Sequence, residues 1–173
     1  MSIAPELNQA VNDQINIEFQ SAYVYLAMSA WFTENNLPGF AQWMMAQWEE
    51  ETGHALKLYR FLHDRGGSAQ LQQINEPKIE AKTALDIFTD VRKHEQMVTQ
   101  KINDLYELAV SKKELPLQVV LQWYINEQVE EEATVEEIVD RLKLIGSDGP
   151  AIYLLDREMG SRNATTIGGE DQK

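Results

Sequence analysis

Gly66-Gly67-Ser68-Ala69-Gln70-Leu71-Gln72-Gln73-Ile74-Asn75-Glu76-Pro77-Lys78-Ile79-Glu80-Ala81-Lys82 is the stretch that decides the fold. It follows a helix over 38–65, stopped by Arg65-Gly66-Gly67-Ser68, and leads into a second helical segment over 83–111. A helix of about 28 residues is ~42 Å long. Seventeen extended residues reach ~56–61 Å. The connection can therefore run the full length of the helices it joins, as one long crossover rather than a hairpin turn.

Outward from this segment the other breakers fall at regular places. Asn35-Asn36-Leu37-Pro38-Gly39 separates a helix over 4–34 from the one over 38–65. Ser111-Lys112-Lys113-Glu114-Leu115-Pro116 separates 83–111 from a fourth helix over 116–145, and Gly146-Ser147-Asp148-Gly149-Pro150 ends that one. Both connections are short, so each pair forms an antiparallel hairpin. Alternating β-branched runs are absent. A short helix over 149–159 follows, with Asp148 as N-cap and Pro150 in the first turn. The expected fold is all-α: a four-helix bundle with a long crossover between its second and third helices and a short fifth, C-terminal helix. Residues 1–160 form one domain, and 161–173, rich in Gly, Thr and charge, form a disordered tail. Asn163-Ala164-Thr165 fits a glycosylation pattern that a cytosolic protein does not use.

Composition narrows the function. Apolar residues make up 43% of the 173, and no apolar run is long enough to span a membrane. The start, Met1-Ser2-Ile3-Ala4-Pro5-Glu6, lacks the basic and apolar regions of a signal peptide. There is no cysteine, which excludes disulfides, thiolate zinc sites and iron–sulfur clusters and suits a cytoplasmic location. Fifteen Lys and Arg against 28 Asp and Glu give a net charge of −13. Such a chain repels nucleic acid and anionic membranes, keeps itself soluble and attracts cations.

Each long helix carries a heptad-like apolar stripe. In the first it reads Val11, Ile15, Glu18, Ala22, Tyr25, Ser29, Phe32; in the second, Phe40, Met44, Gln47, Glu51, His54, Leu58, Phe61. In the third it reads Ala84, Phe88, Val91, Glu95, Val98, Ile102, Leu105; in the fourth, Leu117, Val120, Leu121, Tyr124, Gln128, Glu131, Val135, Ile138, Leu142. A carboxylate or another metal-capable group interrupts all four near mid-helix. The first and third helices each supply one Glu. The second and fourth supply pairs three residues apart, Glu51 with His54 and Gln128 with Glu131, each on one helix face. Glu18 to Glu51 spans 33 residues, as does Glu95 to Gln128, so the ligand positions of the two hairpins repeat at an offset of 77. Groups at similar depth in a bundle converge. Convergent buried carboxylates must be protonated, paired with cationic side chains, or bound to metal. No Arg or Lys lies on the stripes. Hard oxygen ligands with one imidazole suit iron, manganese or zinc. A Glu from each of two helices, with Glu-x-x-His from the others, is the pattern of di-iron carboxylate bundles.

Four segments carry a family resemblance: Ile17-Glu18-Phe19-Gln20-Ser21-Ala22-Tyr23-Val24-Tyr25-Leu26; Trp48-Glu49-Glu50-Glu51-Thr52-Gly53-His54-Ala55; His94-Glu95; and Gln122-Trp123-Tyr124-Ile125-Asn126-Glu127-Gln128-Val129-Glu130-Glu131-Glu132. In this order and spacing the chain resembles the non-haem bacterial ferritins of the ferritin-like di-iron superfamily, over about 1–160. The resemblance implies a ferroxidase centre in which Glu18 and His54 hold one iron, Glu51 bridges, and Glu95 and Glu131 hold the second with Gln128 nearby. Tyr25 would hydrogen-bond a ligand and is a candidate electron donor. Glu50, Glu127 and Glu130 match a third iron site on the cavity side. The implied activity is oxidation of Fe(II) by O2 or H2O2, with ferric mineral stored in a homo-oligomeric cage of 24 subunits whose four-fold channel the fifth helix lines.

Bacterioferritins differ in carrying Glu-x-x-His in the fourth helix as well, and a haem-ligating Met where this chain has Thr52, so no haem is expected. Rubrerythrins need cysteine-ligated iron. Gly53 costs the second helix about 1 kcal/mol against Ala, and close approach of another helix is one reason for it. Trp123 and Tyr124 read as packing residues, His63 and His94 as surface residues with His94 near the site. Six Glu fall between Glu127 and Glu137, a run that solvates one face, with Glu136 and Asp140 weaker candidates for the cavity. The alternatives are a di-iron carboxylate oxidase or peroxidase, and a storage subunit that nucleates mineral slowly.

Overall fold

The structure is a computed structural model, and it describes residues 2–161. The helices are α1 (Pro5–Glu34), α2 (Pro38–Asp64), α3 (Ala84–Ser111), α4 (Leu115–Ile145) and α5 (Gly149–Ser161). No strand occurs among the described residues. The four long helices start and stop within one residue of the limits set by the breakers. The fifth runs two residues further than expected, to Ser161, the one residue of the expected tail that is described.

Local chemistry explains the ends. Proline in the first turn of α1, α2 and α4 presets the backbone angle and removes an amide that would lack a helical partner. α3 starts with a capping box: the Asp86 amide donates to Thr83 Oγ1 at 3.1 Å, and the Thr83 amide donates to Asp86 Oδ2 at 2.9 Å. α4 ends at Gly146, whose φ of 60° lies where glycine carries no steric cost.

α1 packs along α2 and α3 along α4, and the crossover carries the chain from one hairpin to the other. Its extended backbone needs hydrogen-bond partners, and α1 supplies them. Asn8 Oδ1 accepts from the Ser68 amide at 2.9 Å, Asn12 Oδ1 from the Gln70 amide at 2.7 Å, and Gln20 Oε1 from the Asn75 amide at 2.7 Å. Buried Asn12 is thereby satisfied; its Nδ2 also donates to the Ser68 carbonyl at 2.9 Å.

The apolar core is in two parts. One gathers Phe32, Phe40, Met44, Phe88, Ile138 and Leu142 near the α1–α2 turn; the other gathers Leu7, Ile15, Leu58, Leu62, Ile102 and Leu121 toward the opposite end. Between them lies the polar layer of the four interrupted stripes. α5 sits across the start of α2. Buried Asp156 accepts from the Phe40 amide at 2.9 Å, capping α2 from a distant element. A Cβ at Gly39 would lie 1.7 Å from the Asp156 carbonyl oxygen, so this contact requires glycine. Gly53 is different: it is exposed and a Cβ there would meet nothing within 4 Å, so close approach of another helix of this chain does not account for it.

Candidate metal centre

Six side chains meet in the polar layer. Glu18 comes from α1, Glu51 and His54 from α2, Glu95 from α3, and Gln128 and Glu131 from α4; all are between 1% and 8% exposed. One ligand atom from each of Glu18, Glu51 and His54 lies within 4.8 Å of the others, and the same holds for Glu51, Glu95 and Glu131. Glu51 therefore belongs to both groups, the position of a carboxylate shared by two cations. His54 Nδ1 lies 3.7 Å from Glu51 Oε2, too far for a hydrogen bond, with both atoms free to face a common point.

Hydrogen bonds orient the ligands. Gln14 Nε2 donates to Glu18 Oε1 at 2.9 Å. Tyr25 donates its hydroxyl proton to Glu95 Oε1 in a short bond. Gln128 Nε2 donates to Glu95 Oε2 at 3.2 Å and to Thr99 Oγ1 at 3.2 Å. The Tyr124 hydroxyl donates to the His54 carbonyl at 2.7 Å, bracing α2 from α4. Yet Glu18 Oε2, Glu51 Oε2 and both carboxyl oxygens of Glu131 are buried without a hydrogen-bond partner among the described residues. Orphaned buried carboxylate oxygens are rare because each costs desolvation energy. Four of them aimed into one layer, beside one imidazole, are the donor set of a hard divalent cation.

The electrostatics agree. Burial, tempered by the Gln14 hydrogen bond, pushes the Glu18 carboxyl up to about 7. Burial, reinforced by the neighbouring carboxylates, drives Glu51 and Glu131 well above the usual carboxyl range. Burial, then the Lys57 ammonium, lowers His54 to about 4, so at neutral pH the imidazole is neutral and its lone pair is available. A site in this state exchanges protons for cations.

Glu50 is half-buried, accepts from Gln47 Nε2 at 2.6 Å, and forms a third group with His54 and Glu131. Burial and then the Glu127 carboxylate push its carboxyl up to about 7. Glu127 is half-buried and Glu130 exposed; neither joins a ligand group among the described residues. Glu136 pairs with Arg92 at 3.1 Å and Asp140 with Lys143 at 2.9 Å, which accounts for both as surface ion pairs. His94 is half-buried, 2.7 Å from Ser21 Oγ and edge-on to Tyr25, so it packs behind the centre. His63 is exposed against Tyr59. Sequence reasoning missed Gln14, although it lies one turn before Glu18. It placed Gln47 on the stripe without a role and read Tyr124 as packing only.

The chain matches the family of the ferritin-like domain over residues 8–145. It is similar to a bacterial non-heme ferritin of Campylobacter jejuni, 39% identical over 90% of this chain and 93% of the relative, and to one of Staphylococcus aureus, 37% identical over 92% and 96%. Among solved structures it is similar to an open pore ferritin from the hyperthermophilic archaeon Archaeoglobus fulgidus, with 43% identity, a TM-score of 0.91, and 93% of this chain and 99% of the other covered. A polar layer of four helices with orphaned carboxylates, in a chain so closely matched along its length, is that of a ferritin: the chain belongs to the ferritin-like family, among the non-haem ferritins.

Proposed function

We propose that the polar layer is a two-iron oxidation centre, with Glu18, Glu51 and His54 binding one Fe(II), and Glu51, Glu95 and Glu131 the other. As a non-haem ferritin the chain is an iron-storage subunit and a ferroxidase. The observation that carries the assignment is Glu51, whose carboxylate belongs to both ligand groups. Fe(II) binding displaces the protons held on Glu18, Glu51 and Glu131. Each of two Fe(II) gives one electron to dioxygen, which takes up two protons and leaves as hydrogen peroxide. His54 binds as the neutral base, its ring held by Trp123 and Tyr124 edge-on at 5.2 and 5.7 Å between centroids. Gln128 and Tyr25 hold Glu95 in place. Where only one Fe(II) is bound, Tyr25 gives dioxygen the second electron, and its hydroxyl proton passes to Glu95.

Glu50, Glu127 and Glu130 form a third, weaker iron site on the side of the storage cavity. The working assembly is a 24-subunit cage in the cytoplasm, without haem, using dioxygen or peroxide. Alanine at Glu51 abolishes rapid Fe(II) oxidation, followed by stopped-flow absorbance, while circular dichroism keeps the helical signal. Wild-type kinetics in that variant would overturn the assignment.

A further inference from the structure

Two aromatic rings flank the centre, and they are treated differently. Tyr25 lies beside Glu95, which accepts its hydroxyl proton, and is fully buried. Trp123 lies on the other flank, half-buried, with its ring centroid 5.2 Å from that of His54 and edge-on to it at 84°. An indole in contact with a metal-ligand imidazole is well placed to lose an electron to an oxidising centre. Lys57, one helical turn beyond His54, puts Nζ 3.5 Å from the centroid of the Trp123 ring.

From these contacts we propose that Lys57 protects Trp123 from oxidation during iron turnover, so that electron loss from the protein falls on Tyr25. The inference rests on the ferroxidase reading of the centre. An ammonium over an indole face is attracted by the negative face of the neutral ring. In the reaction at issue, one electron leaves the indole as a radical cation and reduces the dioxygen-derived oxidant by one equivalent. The N–H proton passes to water only afterwards, dioxygen adds to the neutral radical, and a further Fe(II) with a proton from water reduces the peroxyl to the hydroperoxide. The initial electron loss would turn the attraction into repulsion between two positive charges at the same distance. In a half-buried setting the repulsion is weakly screened. Among the described residues no cation lies on the Tyr25 ring, and Glu95 takes the proton its oxidation releases. Among the described residues Lys57 makes no salt bridge that would draw it off the ring. The ammonium also acts electrostatically on Glu127 and on His54.

The test compares wild type with K57M, which keeps an aliphatic chain over the ring without the charge, and K57R, which keeps the charge. Each protein is given repeated aerobic additions of Fe(II), and oxidised Trp123 is quantified by peptide mass spectrometry, with Trp43 and Trp48 as internal standards. K57M accumulates about tenfold more dioxygen adduct of Trp123, the scale of losing a cation–π contact, and K57R stays at the wild-type level. Equal Trp123 oxidation in K57M and wild type overturns the proposal, as does K57R behaving like K57M. So does an equal rise when K57M is given hydrogen peroxide without iron, because exposure alone would then explain it. Ferric absorbance is read in the same samples: normal ferric formation without the Trp123 effect rejects the protection alone, and no ferric formation in wild type rejects the ferroxidase reading with it.

Discussion

The two hairpins repeat the same ligand spacing and use it for different chemistry. In α1–α2, Glu18 spends one oxygen on Gln14 and leaves the other free, Glu51 leaves an oxygen free, and His54 is a neutral nitrogen donor. In α3–α4, both oxygens of Glu95 are engaged, by Tyr25 and Gln128, while both oxygens of Glu131 are free. The histidine half is open to a cation as it stands. The glutamine half must loosen hydrogen bonds to Glu95 to use it, and it offers no nitrogen ligand. Equal spacing therefore produces two unequal donor sets, and the expected outcome is weaker binding of the second iron.

Making the halves alike tests this most directly. The pair Gln128→Glu with Glu131→His gives α4 the Glu-x-x-His of α2. It tightens the weaker step of anaerobic Co(II) binding by about 10–100-fold, the range seen when a metal site's supporting groups change. Two calorimetric steps as far apart as in wild type would show that the fourth helix does not set the difference. Removing support from the stronger half has a smaller effect. Gln14→Leu leaves Glu18 without its hydrogen bond, and the tighter step weakens about tenfold while the weaker one stays, read from the same isotherm.

The pH dependence has a defined sign. Glu18 and Glu50 rise from 4.5 to about 7, so the folded chain holds more protons than the unfolded one between those values. Their stabilising contribution is complete below about 4.5 and is lost as pH rises through about 7. His54, lowered to about 4, and His94, also lowered by burial, act in the opposite sense, two imidazoles against several raised carboxyls. Metal-free protein therefore melts at a lower temperature near pH 8 than near pH 5, and Co(II) restores more of the melting temperature at the higher pH. A flat profile in thermal melts would mean that the carboxyls ionise without cost. The smallest effect lies outside the centre: Gly53→Ala stabilises α2 by up to ~1 kcal/mol in urea unfolding and leaves Fe(II) oxidation unchanged.

Periodicity carried much of this. Four stripes interrupted at one depth placed Glu18, Glu51, His54, Glu95, Gln128 and Glu131 in one layer, because heptad spacing decides which residues share a helix face. It carried less for Glu50 and Glu127, which stand next to stripe positions. Whether a flanking residue turns inward depends on the local angle between neighbouring helices, to which a helix's own sequence is blind. Gly53 was open to the same ambiguity and faces outward.

By itself, then, the sequence determined the helices, the long crossover and the residues of the polar layer, since breakers, caps and apolar period act within one segment. Only the tertiary structure decided that Glu51 belongs to both ligand groups, that Tyr25 and Gln128 engage Glu95 while Glu131 stays free, and that the Lys57 ammonium covers Trp123. It also decided that Asp156 on α5 caps α2 across 116 residues of chain. These relations join atoms from different helices, and the rotation and depth at which helices pack are set by the whole core at once.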